Sequence, residues 1–128
     1  MSRLVVHKSI KDEVVDKLVD LSKSLKIGPG IEKDTDLTPV ISENQLQKVE
    51  GYARSGIQEG ADAAHGGKRI DRDGYFMEPT ILNNVKQDMT VAREEIFGPV
   101  LSVIEYEDQE EAIKIANDTD YGLSLIHI

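Results

Sequence analysis

The chain changes its hydrophobic period several times, and each change predicts an element. Arg3 to His7, RLVVH, is a short β-branched run and reads as a strand. Ser9 follows as a helix N-cap, with Asp12 and Glu13 in the first turn, where the helix dipole favours anions. Val14, Val15, Leu18, Val19, Leu21 and Leu25 recur at helical spacing and define one apolar face. Gly28-Pro29-Gly30 is expected to end that helix. After a loop through EKDTDLTPV, Ser42 and Gln45 form a Ser-x-x-Gln capping box. Leu46, Val49, Ala53 and Ile57 give the second helix its stripe, and Gly60 closes it. AHGGKRIDRDGY is a polar, Gly-rich loop or short-strand connection. YFMEPTIL reads as a strand broken or edged by Pro79, and GPVLSVIEYE as the next strand. Asp108 and Glu111 open a last helix that is expected to bury Ala112, Ile113 and Ala116. The order strand, helix, helix, strand, strand, helix is that of an α/β fold.

Composition narrows the function classes. The 128 residues bound the chain to one domain at most, and a chain of that size buries roughly two thirds of its unfolded surface. The formal charge of −9 argues against a nucleic-acid footprint, which needs clustered Lys and Arg, and against a polybasic membrane anchor. No apolar run approaches the ~20 residues that span a bilayer. The N-terminal MSRLVVHKSI has no long apolar signal region. The expectation is a cytoplasmic protein. There is no cysteine, hence no disulfide framework and no thiolate zinc site. His7, His65 and His127 are scattered and read as ordinary histidines rather than metal ligands. No P-loop, G-x-G-x-x-G, H-E-x-x-H, EF-hand loop or G-x-S-x-G is present. The residues alone therefore offer no catalytic nucleophile and no metal set.

The stretch REEIFGPVLSVIEYED, residues 93 to 108, carries more information. It places paired carboxylates and an aromatic just before a Gly98-Pro99 turn into a strand. REEIFGPVLSV resembles the most recognisable C-terminal motif of the NAD(P)-dependent aldehyde dehydrogenases. Further stretches resemble that family in the same order: SRLVVHKSI, PVISENQLQKVEGY, GYFMEPTIL and AIKIANDTDYGLS. Together they cover about residues 2 to 123, and several motifs in order are more specific than one.

The resemblance implies an internal part of the catalytic domain, residues 1 to 122. It also implies that Glu95 accepts hydrogen bonds from the nicotinamide ribose of NAD or NADP. A carboxylate suits a diol because its two oxygens take both hydroxyls, each charge-assisted bond contributing about 1.5–3 kcal/mol. By the same resemblance Phe97 contacts the nicotinamide region, and Lys48 and Gln45, three apart on one helix face, reach toward the cofactor. Glu94 reads as a solvated neighbour. The implied parent is a homo-oligomeric enzyme that oxidises an aldehyde to a carboxylate through a Cys thiohemiacetal.

The family's nucleophilic Cys lies just ahead of the residues that match Ser2-Arg3. Its general-base Glu, its oxyanion-stabilising Asn and its dinucleotide-binding domain lie further upstream. None is in this sequence, so the chain alone is expected to be inactive. Its sheet edges and apolar helix faces are also expected to favour poor folding or self-association. The alternatives are a non-catalytic truncated paralogue that partners intact subunits, or an unrelated α/β binding domain. Finally, LSLIHI, residues 123 to 128, departs from the family pattern. The codons CTG TCT CTT ATA CAC ATC, a transposase end used as a sequencing adapter, translate to these six residues. The tail is therefore expected to be non-native, with no evolved packing partners.

Overall fold

Val100–Tyr106 is the strand around which the rest is arranged, and its side chains alternate with the pleat. Val100 and Ile104 enter one apolar cluster, while Leu101 and Val103 enter another on the opposite face. A strand apolar on both faces belongs inside a sheet covered on both sides. The computed structural model, which describes residues 3–122, has that architecture. Its elements are β1 (Arg3–His7), α1 (Lys11–Ser24), α2 (Glu43–Gln58), β2 (Asp62–His65), β3 (Thr80–Asn83), α3 (Thr90–Arg93), β4 (Val100–Tyr106) and α4 (Gln109–Asn117). The sheet order is β1-β4-β3-β2. β4 runs parallel to both β1 and β3, and β2 is antiparallel to β3. Residues 124–128, for which the sequence predicts no packing partners, lie outside the described residues.

The helix α1 covers one face of the sheet, burying Val15 over Val6, Ile81 and Val103. The other face carries the larger cluster. There Leu46, Val49 and Ala53 of α2 meet Leu82 of β3, Val91 and Ala92 of α3, and Ile115 of α4. Gly56 lets α2 approach closely: a Cβ there would sit 2.9 Å from Leu82 Cδ1 and 3.0 Å from Val91 Cγ1. Ser102, fully buried mid-strand, donates to the Val91 carbonyl at 3.0 Å and ties α3 to the sheet. The α/β class read from the sequence is the observed one.

Several local expectations are corrected. The N-cap of α1 is Ile10, without a side-chain bond, because the Ser9 hydroxyl is taken by His7 Nδ1 at 2.7 Å. That helix ends at Ser24, four residues before Gly28, where the Ser24 hydroxyl takes the Leu21 carbonyl. Leu25 is therefore an extended C-cap, and Leu21 is 58% exposed. Gly28 instead belongs to a return that pairs Ile27 with Leu37. Ser42 does cap α2 through the Gln45 N–H, but the Gln45 side chain does not reach back, and Ile57 is exposed where Gly56 is buried. β3 starts immediately after Pro79, so the proline costs the ladder no donor. In α4, Ile115 is buried while Ile113 is 53% exposed and Ala116 is also exposed. Two elements are not delimited in the sequence reading, which has a loop or short-strand connection from Ala64 and no element at Thr90. β2 has only four residues and none is β-branched. α3 is a single turn whose first N–H, on Thr90, is held at 2.6 Å by the carboxylate of Glu59, the C-cap of α2.

Candidate functional site

Residues 94 to 99 connect α3 to β4, and one face of α2 presses on them at successive turns. Gln45, Val49 and Tyr52 stand at i, i+4 and i+7 on that face. Gln45 donates from Nε2 to the Phe97 carbonyl at 2.8 Å. Val49 packs on Gly98 so tightly that a Cβ there would lie 2.5 Å from Val49 Cγ2. The Tyr52 hydroxyl donates to Glu94 Oε2 at 2.6 Å. Ile96 enters the core between these contacts. Tight turns finish the segment: Gly98 N–H donates to the Ile96 carbonyl and Val100 N–H to that of Gly98. Gly98 is thus demanded by its close approach to α2.

The pinned backbone disposes its side chains differently. Ile96 is buried, Phe97 is 70% exposed, and Glu95 is half-buried. Glu95 lines a polar cleft of about 150 Å³ together with Arg3, Arg93, Glu94, Thr119 and Tyr121. Glu94 is engaged by Tyr52, whereas Glu95 makes no hydrogen bond or ion pair among the described residues. Its carboxylate is therefore available to an outside donor. The Tyr52 phenol is held above its ordinary pKa, first by its hydrogen bond to Glu94, then by burial and by the Glu94 charge. Ionising it would put two anions against each other.

The four residues singled out in the sequence do not form one ligand-facing group. Glu95 lies in the cleft and Phe97 projects into solvent one residue beyond Ile96. Gln45 spends its amide on the Phe97 backbone, so it acts on the loop, not as a second arm of the capping box. Lys48 is exposed on α2, one turn from Tyr52, and makes no ion pair among the described residues. Tyr52 was missed, although its i+7 spacing from Gln45 was visible in the sequence. Arg3, Thr119 and Tyr121 come from chain segments far apart and meet only in the fold.

A mixed sheet covered by helices on both faces, with the Glu95 carboxylate and the exposed Phe97 near one rim, is an α/β arrangement. Comparison with known proteins gives the family. The model of the aldehyde dehydrogenase family matches residues 1–126. The mitochondrial aldehyde dehydrogenase of Leishmania tarentolae is 44% identical over 123 residues, covering 96% of this chain and 25% of that protein. The peroxisomal aminoaldehyde dehydrogenase 1 of Pisum sativum is 48% identical, covering 95% and 25%. Among solved structures, the NAD+ complex of aldehyde dehydrogenase from Bacillus cereus superposes with a TM-score of 0.91 at 43% identity, covering 95% of this chain and 25% of that one. Betaine aldehyde dehydrogenase from Staphylococcus aureus, also an NAD+ complex, gives 0.91 at 45% with the same coverage. The chain belongs to the aldehyde dehydrogenase family and spans about a quarter of the length of these relatives.

Proposed function

We propose that the parent protein oxidises an aldehyde to a carboxylate with NAD or NADP, and that this segment supplies part of the nicotinamide-ribose subsite. The observation that carries the reading is the division of labour between adjacent carboxylates. Glu94 is bonded to Tyr52, and Glu95 is left open in the cleft. The donor set fits the group: a carboxylate takes both hydroxyls of a diol, and Phe97 offers an exposed aromatic surface two residues on. When bound, the cofactor supplies the hydride acceptor. Glu95 would hold the ribose and Phe97 would flank the ring. Gln45 fixes the loop through the Phe97 carbonyl, and Lys48 is the remaining cation on that helix face available to a ribose oxygen.

The chain has no cysteine and hence no thiolate, so catalysis by the isolated segment is not expected. Relatives are named for betaine aldehyde, aminoaldehydes and succinate semialdehyde. That variety leaves an aldehyde, without a narrower class, as the substrate. Residence in the cytoplasm and homo-oligomeric assembly of the parent belong to the same reading; among the described residues no helix is long and apolar enough to cross a membrane. The test is Glu95→Gln in the complete enzyme. Gln keeps the shape but not the charge, and the loss of ~1.5 kcal/mol from a charge-assisted bond corresponds to about tenfold in NAD binding or hydride transfer. Unchanged cofactor affinity together with an unchanged single-turnover hydride step removes Glu95 from the site.

A further inference from the structure

We infer that Tyr52 is a positioning residue: by holding Glu94 Oε2 against α2 it leaves Glu95 as the carboxylate in the cleft with neither oxygen engaged among the described residues, and it fixes the backbone from which Glu95 projects. The inference rests on the reading of Glu95 as the ribose acceptor. Adjacent glutamates are chemically equivalent until something distinguishes them, and both line the same cleft. The distinguishing contact is the 2.6 Å bond from the Tyr52 hydroxyl to Glu94 Oε2, joining positions 42 residues apart. Tyr52 is itself anchored, with its ring packed against the main core cluster. Glu94 is the C-cap of α3 and its N–H bonds the Thr90 carbonyl, so the Tyr52 contact fixes the point where the helical turn gives way to extended chain. Ile96 and the Gln45 contact to Phe97 pin the far side of Glu95. Without the Tyr52 hydroxyl, the near side is held by the Glu94 N–H bond to Thr90 alone, and the Glu94 side chain loses its anchor. Glu94 is then free to swing toward Arg93 or Arg3 in the cleft and to compete for the hydroxyls that Glu95 takes.

The test is a set of variants of the complete enzyme, with NAD binding, single-turnover hydride transfer and thermal midpoint as readouts. Tyr52→Phe keeps the packed ring and removes only the hydroxyl. It is expected to weaken NAD binding three- to tenfold and to slow hydride transfer at saturating NAD, with the midpoint shifted by no more than a degree or two. In the Tyr52→Phe background, Glu94→Ala, which removes the competing carboxylate, is expected to restore part of the NAD affinity. Tyr52→Phe with unchanged NAD binding and hydride transfer overturns the inference while Glu95→Gln still shows its effect, in which case the ribose reading stands. A fall in activity matched by a comparable fall in midpoint, unrelieved by Glu94→Ala, also overturns it, because the hydroxyl is then only structural. If Glu95→Gln is itself silent, both readings fall.

Discussion

Replacing Gly98 with Ala tests the packing that holds the loop on α2. The added methyl would lie 2.5 Å from Val49 Cγ2 and 2.7 Å from Cγ1. Carbon atoms rest at about 3.5–4.0 Å, so roughly 1 Å must be found. Val49 cannot yield it easily: it is fully buried, and its β-branched χ1 is stiff in a helix. Overpacking of this kind costs about 1–3 kcal/mol, and alanine's lower unfolded-state entropy offsets up to ~1 kcal/mol of it. The expected net loss is ~1–2 kcal/mol, read as a lower urea midpoint at unchanged m-value. Val49→Ala alone removes two methyl groups from the core at a cost of ~2 kcal/mol. In the double variant the new methyl occupies the vacated space, so the combined cost should fall below the sum by ~1–2 kcal/mol. Additivity within about 0.5 kcal/mol would refute the claim that Gly98 is required by Val49, as would a Gly98→Ala variant as stable as the parent.

Tyr52 should titrate above ordinary tyrosine because of its bond to Glu94. The stability this confers is fully present below the unfolded value and is lost as pH rises through the raised folded one, so Tyr52→Phe should flatten the alkaline limb of a stability–pH curve and remove the last phenol from an ultraviolet titration. Glu59 has the opposite sign: bonds from Ser55 and then from the Thr90 hydroxyl and N–H depress its pKa. Its contribution is present above the unfolded value and lost as pH falls through the lowered one, so Glu59→Gln should reduce stability near neutrality and lessen the acid-dependent loss, a result checked by urea melts across the acid range. Both sheet edges, β1 and β2, lack a partner strand among the described residues, and the isolated chain is expected to self-associate with concentration; sedimentation showing a strict monomer would contradict this.

The legible part of the fold was the part with local causes. β1 is bounded by its own β-branched run, and α2 begins where Ser42 caps it. Asp108 caps α4 through the Glu111 N–H, as the spacing predicts, while the Glu111 carboxylate accepts from the Glu107 N–H, one residue ahead of the cap. Failures came where distant residues decide. Nothing near Thr90 announces α3, because Glu59, at the end of α2, caps it from 31 residues away. Ile113 and Ile115 lie about 200° apart around α4, and only the sheet beneath selects Ile115. Glu95, Phe97, Lys48 and Gln45 were singled out by the family resemblance, and pattern alone could not show that the Gln45 side chain bonds a carbonyl 52 residues away.

The parallel register fixes at which end of the strands the cleft sits. β1, β3 and β4 all start on the side where residues 94 to 99 lie, since Arg3 pairs with Ser102 and Thr80 with Val100. Open α/β sheets commonly bind ligands beyond the carboxyl ends of their strands, whereas here the cleft is at the amino ends. The opposite rim holds His7 edge-on to Tyr106 and the exposed Lys8–Glu107 pair. Seven residues of β4 separate the rims by ~20 Å. A fluorophore attached at Lys8 would therefore report unfolding of the plate from beyond the Debye length of the cleft at physiological salt.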